Sequence, residues 1–195
     1  MCGRYYIADE DTPEELIRII EEVNRRNSGN AVAVKTSGEV FPTDTVPVVA
    51  NSRSLHPASF AMKWGYTLPD GKPIINARSE TAAQKVMFKD GMLQRRCLIP
   101  ATNYFEWEKR DDRKVKYAIQ PTGSKIMYMA GIYRMEQGRP IFSILTRAPV
   151  ACIEFIHNRM PVVLRPDIIY DWLNTEYNAN EILKAALDDM TFVAA

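Results

Sequence analysis

The residue best suited to covalent chemistry is Cys2, because a small side chain at position 2 generally permits removal of the initiator methionine. The cysteine would then carry a free α-amine beside its thiol, with reference pKa values of about 7.7–8.0 and about 8.5. The amine can condense with an aldehyde to an imine, and the thiol can then close a thiazolidine ring. An internal cysteine cannot do this, because its nitrogen lies in a peptide bond. The alternative is a chance cysteine at a frayed terminus.

A second group of candidates follows the apolar pair at 74–75, where residues 76–81 read Asn-Ala-Arg-Ser-Glu-Thr. Asn76 offers both a donor and an acceptor, and Arg78 can fork onto a phosphate. Ser79 or Thr81 could cap a following helix, whose N-terminus favours an anion. The alternative is a strand-to-helix turn with a structural asparagine and a surface arginine.

Glu106 is the candidate for proton transfer, since it lies among the aromatic residues Tyr104, Phe105 and Trp107. A carboxylate in an apolar setting is harder to ionise, which suits general acid–base work. The alternative is a glutamate on the solvent face of a strand, with Phe105 and Trp107 facing the core.

His157 is one of two histidines, with His56, and an imidazole can exchange protons near neutral pH. Arg159, two residues later, could hold a phosphate; the alternative is a histidine at a helix end followed by a loop. An exposed Trp64 or a rigid loop at Pro42 could stack on or wedge between bases. The alternative for these two is core packing and a turn.

The elements that position these residues indicate an α+β fold. Residues 12–15 predict a helix start with Thr12 as cap and a capping box, and apolar residues at 16, 19, 20 and 23 give that helix one buried face. Short runs of β-formers between turn signals predict strands at 46–50, 59–64, 115–120, 126–132 and 140–146. Helices are predicted at 80–90, 150–158, from Pro166, and at 180–190. Strands and helices do not alternate regularly, so we expect one compact domain over 1–195 with a mixed, mainly antiparallel, barrel-like sheet and peripheral helices.

The composition argues against some classes of protein but does not identify the function. The 195 residues are 46% hydrophobic and 25% charged, with a net charge of +1, so DNA binding would need a local patch of cations. No apolar run predicts a membrane span or a secretory signal, and we expect a cytoplasmic protein. Three widely spaced cysteines and two histidines make a disulfide framework or a zinc site improbable.

The order and combination of these motifs closely resemble the SRAP family, a name that stands for SOS response-associated peptidase. The resemblance runs from residue 2 to about Trp172, and the tail after Asn174 matches little. It rests on the segments at 2–5 (CGRY), 64–65 (WG), 76–81 (NARSET), 96–101 (RCLIPA) with 106–107 (EW), 144–146 (ILT) and 157–161 (HNRMP).

The resemblance implies a compact α+β domain around a barrel-like sheet, which binds single-stranded DNA or a single-strand to double-strand junction at an abasic site. It implies a covalent thiazolidine crosslink through Cys2 that shields the lesion. Asn76 would orient the α-amine and the sugar, Glu106 would shuttle protons, and His157 would assist imine formation. The DNA-binding residues implied are Arg4, Pro42, Trp64, Arg78, Ser79, Thr146 and Arg159. We expect a monomer, nucleoid-associated in a bacterium, and neither a metal nor an organic cofactor.

Two departures and two other functions stand beside this interpretation. The segment after Gly65 is shortened and lacks the second tryptophan of many relatives, and Asn103 precedes Tyr104 and Phe105 where Gly-Phe-Tyr is usual. The first other function is a peptidase in which Cys2 is the nucleophile and its own amine the base. The second is a DNA-binding module without catalysis, which would need the arginines but not Cys2, Glu106 and His157 together.

Overall fold

The computed structural model describes residues 2–8, 11–30 and 32–195, and this part of the chain forms fifteen strands and five α-helices. The strands are β1 (Tyr5–Tyr6), β2 (Glu39–Val40), β3 (Thr45–Asn51), β4 (Pro57–Trp64), β5 (Tyr66–Thr67), β6 (Pro73–Ile74), β7 (Asn76–Arg78), β8 (Arg96–Ala101), β9 (Asn103–Arg110), β10 (Arg113–Pro121), β11 (Met127–Glu136), β12 (Arg139–Arg147), β13 (Met160–Pro161), β14 (Val163–Leu164) and β15 (Met190–Ala194). The helices are α1 (Glu14–Asn27), α2 (Ser79–Ala82), α3 (Val86–Gln94), α4 (Ile169–Leu173) and α5 (Ala179–Lys184). Short 3₁₀ turns lie at Ala151–Ile153 and Pro166–Ile168.

Five of these strands close into a barrel, in the order β12, β4, β3, β8, β11 and back to β12. All neighbours are antiparallel except β12 and β4, which run parallel with Phe142 opposite Trp64. The short strand β7 also pairs parallel to β12. The prediction of a compact α+β domain with a mixed, mainly antiparallel barrel is therefore confirmed.

The barrel wall shows the alternation expected of strands with two buried faces. Cys97 and Ile99 of β8 belong to the core inside the barrel, whereas Leu98 between them belongs to a second core beneath the helices. Gly131 on β11 leaves room for this interior, because a Cβ there would lie 2.3 Å from Ile99 Cδ1. Two apolar cores thus share one wall.

A second sheet, in the order β15, β10, β9, β1, β2, closes over the inner core. Tyr5 of β1 lies opposite Tyr104 of β9, and both are fully buried with the barrel residues. Cys2 belongs to the same buried cluster. The N-terminal strand therefore carries the candidate nucleophile to the junction between the second sheet and the barrel.

The strand predictions are confirmed, since the five predicted segments fall within β3, β4, β10, β11 and β12, apart from one residue at the start of β11. The first helix is also confirmed as α1, with Leu16 and Val23 fully buried. The predicted cap is corrected, because the N-cap residue of α1 is Pro13 and not Thr12, and Pro13 makes no side-chain cap hydrogen bond. Glu15 instead accepts a hydrogen bond from Tyr128 Oη at 2.5 Å.

Three other helix predictions are corrected. The helix at 80–90 is divided into α2 and α3, because Lys85 adopts an extended conformation between them. The helix at 150–158 is only a 3₁₀ turn at Ala151–Ile153, and a further turn at 154–156 follows it, with Ile153 and Ile156 buried. The helix at 180–190 ends at Lys184, and its last predicted residue, Met190, instead begins β15, where the β-branched and aromatic residues at 191–193 (Thr-Phe-Val) suit a strand.

Candidate functional site

Cys2 lies buried at the base of the site, with no exposed surface. Its Sγ is 3.8 Å from the carbonyl oxygen of Arg4, and that oxygen also accepts a hydrogen bond from the backbone N–H of Phe105 at 2.8 Å. The antiparallel pairing of β1 with β9 therefore fixes the first residues of the chain. The thiol is held in a defined place rather than at a frayed end.

Asn76 is joined directly to Cys2. Its Nδ2 donates a hydrogen bond to the Cys2 carbonyl oxygen at 2.8 Å. β7 brings it there by pairing with β12, where Asn76 lies opposite Ile144. The Asn76 Oδ1 atom is buried and, among the described residues, has no hydrogen-bond partner. The amide thus has an acceptor available inside the site.

Glu106 is the buried carboxylate of the site, with only 4% of its surface exposed. The alternative of a solvent-facing glutamate is therefore wrong. Burial raises the pKa of the Cys2 thiol, and the negative charge of Glu106 raises it further. A hydrogen bond that the Arg4 backbone makes to the sulfur acts in the opposite direction and is weaker. Glu106 is thus close enough for its charge to act on Cys2.

Two buried phenols complete the interior. Burial, followed by the charge of Cys2, raises the pKa of both Tyr5 and Tyr104 well above the ordinary value for tyrosine. Within the described chain, neither hydroxyl has a hydrogen-bond partner. Both phenols are therefore neutral near physiological pH.

His157 lies half-buried in the loop between the 3₁₀ turn at Ala151–Ile153 and β13. Its Nδ1 accepts a hydrogen bond from the backbone N–H of Arg159 at 3.0 Å. The same Nδ1 lies 3.3 Å from the Arg159 carbonyl oxygen, so the Arg159 backbone holds the imidazole ring in place. The loop returns to the end of β12, where Thr146 pairs with Pro161.

Arg159 is held at this same edge by several oxygen atoms. Its Nη1 and Nη2 contact the two carboxylate oxygens of Glu80 at 2.7 and 2.8 Å, and Nη2 also donates to the Thr146 carbonyl at 2.6 Å. Hydrogen bonds from Arg159 are the main cause that lowers the pKa of Glu80. A carboxylate thus occupies the fork that a phosphate would use.

Arg4 lies at a second rim of the site, called here the Arg4 rim, where cations and aromatic rings alternate. Its guanidinium carbon is 4.5 Å from the ring centre of Phe41 and 5.0 Å from that of Trp107. Lys116 lies 3.8 Å from the ring centre of Phe105 and forms an ion pair with Glu39. Trp107 and Lys116 were not predicted as contact residues, whereas Phe41 belongs to the predicted loop at Pro42. The sequence could have indicated Trp107, because it directly follows Glu106 in the EW motif.

The remaining predicted contact residues differ in exposure. Arg78 is exposed at the end of β7, and Ser79 beside it begins α2. Pro42 is half-buried in a turn that two hydrogen bonds close, one from the Phe41 N–H to the Asp44 carboxylate and one from the Asp44 N–H to the Phe41 carbonyl. Arg78, Ser79 and Pro42 therefore have positions compatible with a bound strand.

Trp64 and Thr146 need correction. Trp64 is fully buried, its Nε1 donates to the Ile75 carbonyl at 3.0 Å, and its ring stacks on Phe142 with a 5° angle between planes. It presents no face on which a base could stack. Thr146 is also fully buried, and its Oγ1 lies 3.4 Å from the Ala77 carbonyl. Their positions assign both residues to the core, so a direct contact with DNA is not supported.

A metal-dependent chemistry was not predicted. In the ranges 2–8, 11–30 and 32–195, no three His, Cys, Asp or Glu side chains are grouped to hold a metal ion. Within the same ranges, no helix is both long and apolar enough to cross a membrane.

Comparisons with known proteins agree with the motifs. The family model described as SOS response associated peptidase (SRAP) matches residues 1–193. The chain is 30% identical to the abasic site processing protein YoqW of Bacillus subtilis, covering 97% of this chain and 90% of that one. It is 31% identical to the abasic site processing protein YedK of Escherichia coli, covering 95% and 85%. A crystal structure of a protein from Bacteroides thetaiotaomicron shares the fold, with a TM-score of 0.80 at 21% identity over 99% and 91% of the two chains.

Proposed function

The chain belongs to the SOS response associated peptidase family, and on this premise we propose that it processes abasic sites by capturing the sugar aldehyde through Cys2. The substrate is single-stranded DNA, or a single-strand to double-strand junction, with one abasic site, and the chain acts as a monomer. The observation that carries the proposal is the contact of Asn76 with the Cys2 backbone, beside the buried carboxylate of Glu106.

The reaction requires that Met1 be removed, so that the Cys2 nitrogen is a free amine. The nitrogen lone pair attacks the aldehyde carbon of the open sugar, and loss of one water gives the imine. The sulfur then adds to the imine carbon while the nitrogen takes up a proton, which closes the thiazolidine ring. The protein and the DNA are joined with the net loss of one water molecule.

Different residues of the site serve different steps of this reaction. Asn76 holds the first residue of the mature chain through its carbonyl and offers Oδ1 to the amine or to a sugar hydroxyl. Glu106 moves protons during opening of the sugar ring, which must precede capture because an abasic sugar is mainly a closed hemiacetal. His157 moves protons to and from the carbinolamine oxygen. The raised pKa of the Cys2 thiol supports an order in which the amine attacks first.

The DNA strand binds at the rims of the site. Arg4 and Arg159 pair with different carboxylates, Glu39 and Glu80, and Arg78 with Ser79 directly precedes Glu80. Near Arg4, the alternation of guanidinium or ammonium groups with Phe41 and Trp107 suits a strand of phosphates and bases. The turn at Pro42 lies next to this rim.

The test is the intact mass of the mature protein after incubation with a single-stranded oligonucleotide that carries one abasic site. The expected product has the mass of protein plus DNA minus water, and is absent with undamaged DNA and with protein that retains Met1. Cys2→Ser should abolish a durable adduct, because a stable thiazolidine requires sulfur. Full crosslinking by Cys2→Ser would refute the mechanism, and no adduct from the correctly processed protein would favour the DNA-binding module or the peptidase.

A further inference from the structure

A groove of about 580 Å³ lies beside β4 and the start of β3, and Cys2 is not among the residues that line it. One wall is the C-terminal turn of α1 with Arg26, and the other is the turn between β11 and β12 with Arg139. Phe60 and Lys63 of β4 line it between these walls. This volume falls in the range that binds small organic molecules, about 300–1,000 Å³.

The groove carries an excess of positive charge. Lys63 and Arg139 are both exposed, and neither forms an ion pair with any residue that the structure describes. The acidic residue of the lining, Glu136, is neutralised by an ion pair with Arg134 and accepts a hydrogen bond from the Thr67 backbone N–H at 3.2 Å. Arg26 is balanced by Glu22 at 2.8 Å. Two cations are therefore left for an anion from solution.

The groove also offers a flat surface for an aromatic ring. The Arg26 guanidinium carbon lies 5.2 Å from the centre of the Phe60 ring, so a planar cation and an aromatic ring form one side of the groove. Apolar atoms of Val32, Pro140 and Ile141 continue the lining. Aromatic faces and arginine planes with nearby cations are the features on which nucleic-acid bases stack and phosphates bind.

A short path links the groove to the Cys2 site. On β4, Trp64 is buried and its ring contacts Tyr5, whereas the adjacent Lys63 is exposed and lines the groove. The turn from Phe41 to Thr45 crosses between the two, since Phe41 contacts Arg4 and Thr45 lines the groove. The four residue steps of this turn span at most about 14 Å. A strand a few nucleotides long can therefore contact both Arg4 and the groove.

We propose that this groove binds a nucleotide of the DNA strand on one side of the abasic site. Lys63 and Arg139 bind its phosphate, and its base stacks against Phe60 and Arg26. This proposal rests on the proposed function in one respect, namely that the DNA strand in the groove is the strand that carries the abasic site. The strand would pass from Arg4 over the turn at Pro42 into the groove.

The experiment measures DNA affinity by fluorescence anisotropy at several salt concentrations, with Cys2→Ser present in every variant so that no crosslink interferes. The test variant is Lys63→Gln with Arg139→Gln, and the control is Lys89→Gln with Lys125→Gln, which removes the same charge from exposed positions outside the groove. The test variant should bind a centrally damaged oligonucleotide about tenfold more weakly than the control. The slope of log affinity against log salt should become shallower by about 0.7 for each phosphate that the variant no longer binds.

Truncated oligonucleotides locate the bound nucleotide. When the nucleotides on one side of the lesion are removed, the difference between test and control variants should disappear, because the groove then has no ligand to bind. A difference that persists equally on both truncated strands, or equal affinities of test and control variants on the full strand, would overturn the proposal. The Cys2 crosslink is measured separately, so its absence would refute the proposed function while the affinity data still decide on the groove.

Discussion

The Asn76 amide and the Cys2 backbone are joined by one hydrogen bond, from Nδ2 to the carbonyl oxygen at 2.8 Å, across 74 positions of sequence. This carbonyl belongs to the residue whose nitrogen and sulfur would both react. The bond therefore fixes the nucleophile without touching either reacting atom, and leaves Asn76 Oδ1 available in the site.

Asn76→Asp should slow crosslinking by at least about tenfold, because a carboxylate cannot donate to the Cys2 carbonyl and would place charge in a buried site. Leaving the buried carbonyl without its donor should also lower the free energy of unfolding by about 1–3 kcal/mol. The measurements are the first-order rate of adduct formation at saturating DNA and urea unfolding. Asn103→Asp, at another half-buried asparagine, is the control. Equal crosslinking rates in the two variants would remove Asn76 from the site.

Glu80→Gln should increase DNA affinity severalfold, since Arg159 would lose the carboxylate that now occupies its guanidinium fork. Glu181→Gln removes the same charge from a surface pair with Lys184 and is the matched control. If both variants gain affinity equally, the effect is one of net charge, and Arg159 does not bind a phosphate. Anisotropy titrations with undamaged single-stranded DNA decide this.

The same ion pair predicts a dependence of stability on pH. Hydrogen bonds from Arg159 lower the pKa of Glu80 in the folded protein, so the pair contributes stability at pH values above the ordinary glutamate pKa of about 4.3. That contribution disappears as the pH falls through the lowered folded pKa. The wild type should therefore exceed Glu80→Gln in stability by less than about 1 kcal/mol near pH 7 and by nothing in strong acid, because Glu80 is half exposed. Urea unfolding across this range is the measurement.

The sequence predicted the local elements better than their assembly. Runs of β-formers located β3, β4, β10, β11 and β12, since strand formation follows side-chain type and turn residues. Closure of the barrel depends on the parallel pairing of Phe142 with Trp64, far apart in sequence, and no local pattern encodes that. Residues 191–193 form a strand because they pair with the edge of β10, and that pairing is not encoded in the local sequence.

The site was predicted as motifs and not as geometry. Cys2, Asn76 and Glu106 were each identified from residue type and family pattern, and the structure brings them together through the β1–β9 and β7–β12 pairings. The sequence did not predict which of the candidate side chains are exposed. Trp64 and Thr146 were expected to contact DNA, yet both lie in the core, because burial is set by the neighbouring strands of the barrel.

Trp64→Phe should therefore reduce stability and leave DNA binding unaltered. The substitution removes the indole donor and leaves the Ile75 carbonyl without its partner, at a cost of about 1–3 kcal/mol. Trp107→Phe is the informative comparison, because Trp107 is half-buried against Arg4 at the rim. Urea unfolding and DNA affinity are measured for both. A loss of affinity in Trp64→Phe larger than in Trp107→Phe would contradict the assignment of Trp64 to the core.

The buried state of the Cys2 thiol can be tested by brief alkylation with iodoacetamide, followed by mass spectrometry of peptides, on the chain that retains Met1. Cys152 is exposed, whereas Cys2 and Cys97 are buried and burial raises the pKa of both thiols. Since the thiolate is the reactive form, Cys2 should react at least about tenfold more slowly than Cys152 at pH 8.

The Cys2 alkylation rate should also keep rising through pH 9 without reaching a plateau, because a raised pKa moves the half-ionised point to higher pH. Glu106→Gln removes the negative charge that adds to this shift and should speed alkylation of Cys2 but not of Cys97, whose pKa is raised by burial alone. Equal acceleration at both cysteines would indicate loosening of the core rather than removal of a charge. Alkylation of Cys2 as fast as that of Cys152 would mean that the thiol is an accessible nucleophile, and the order in which the amine attacks first would lose its support.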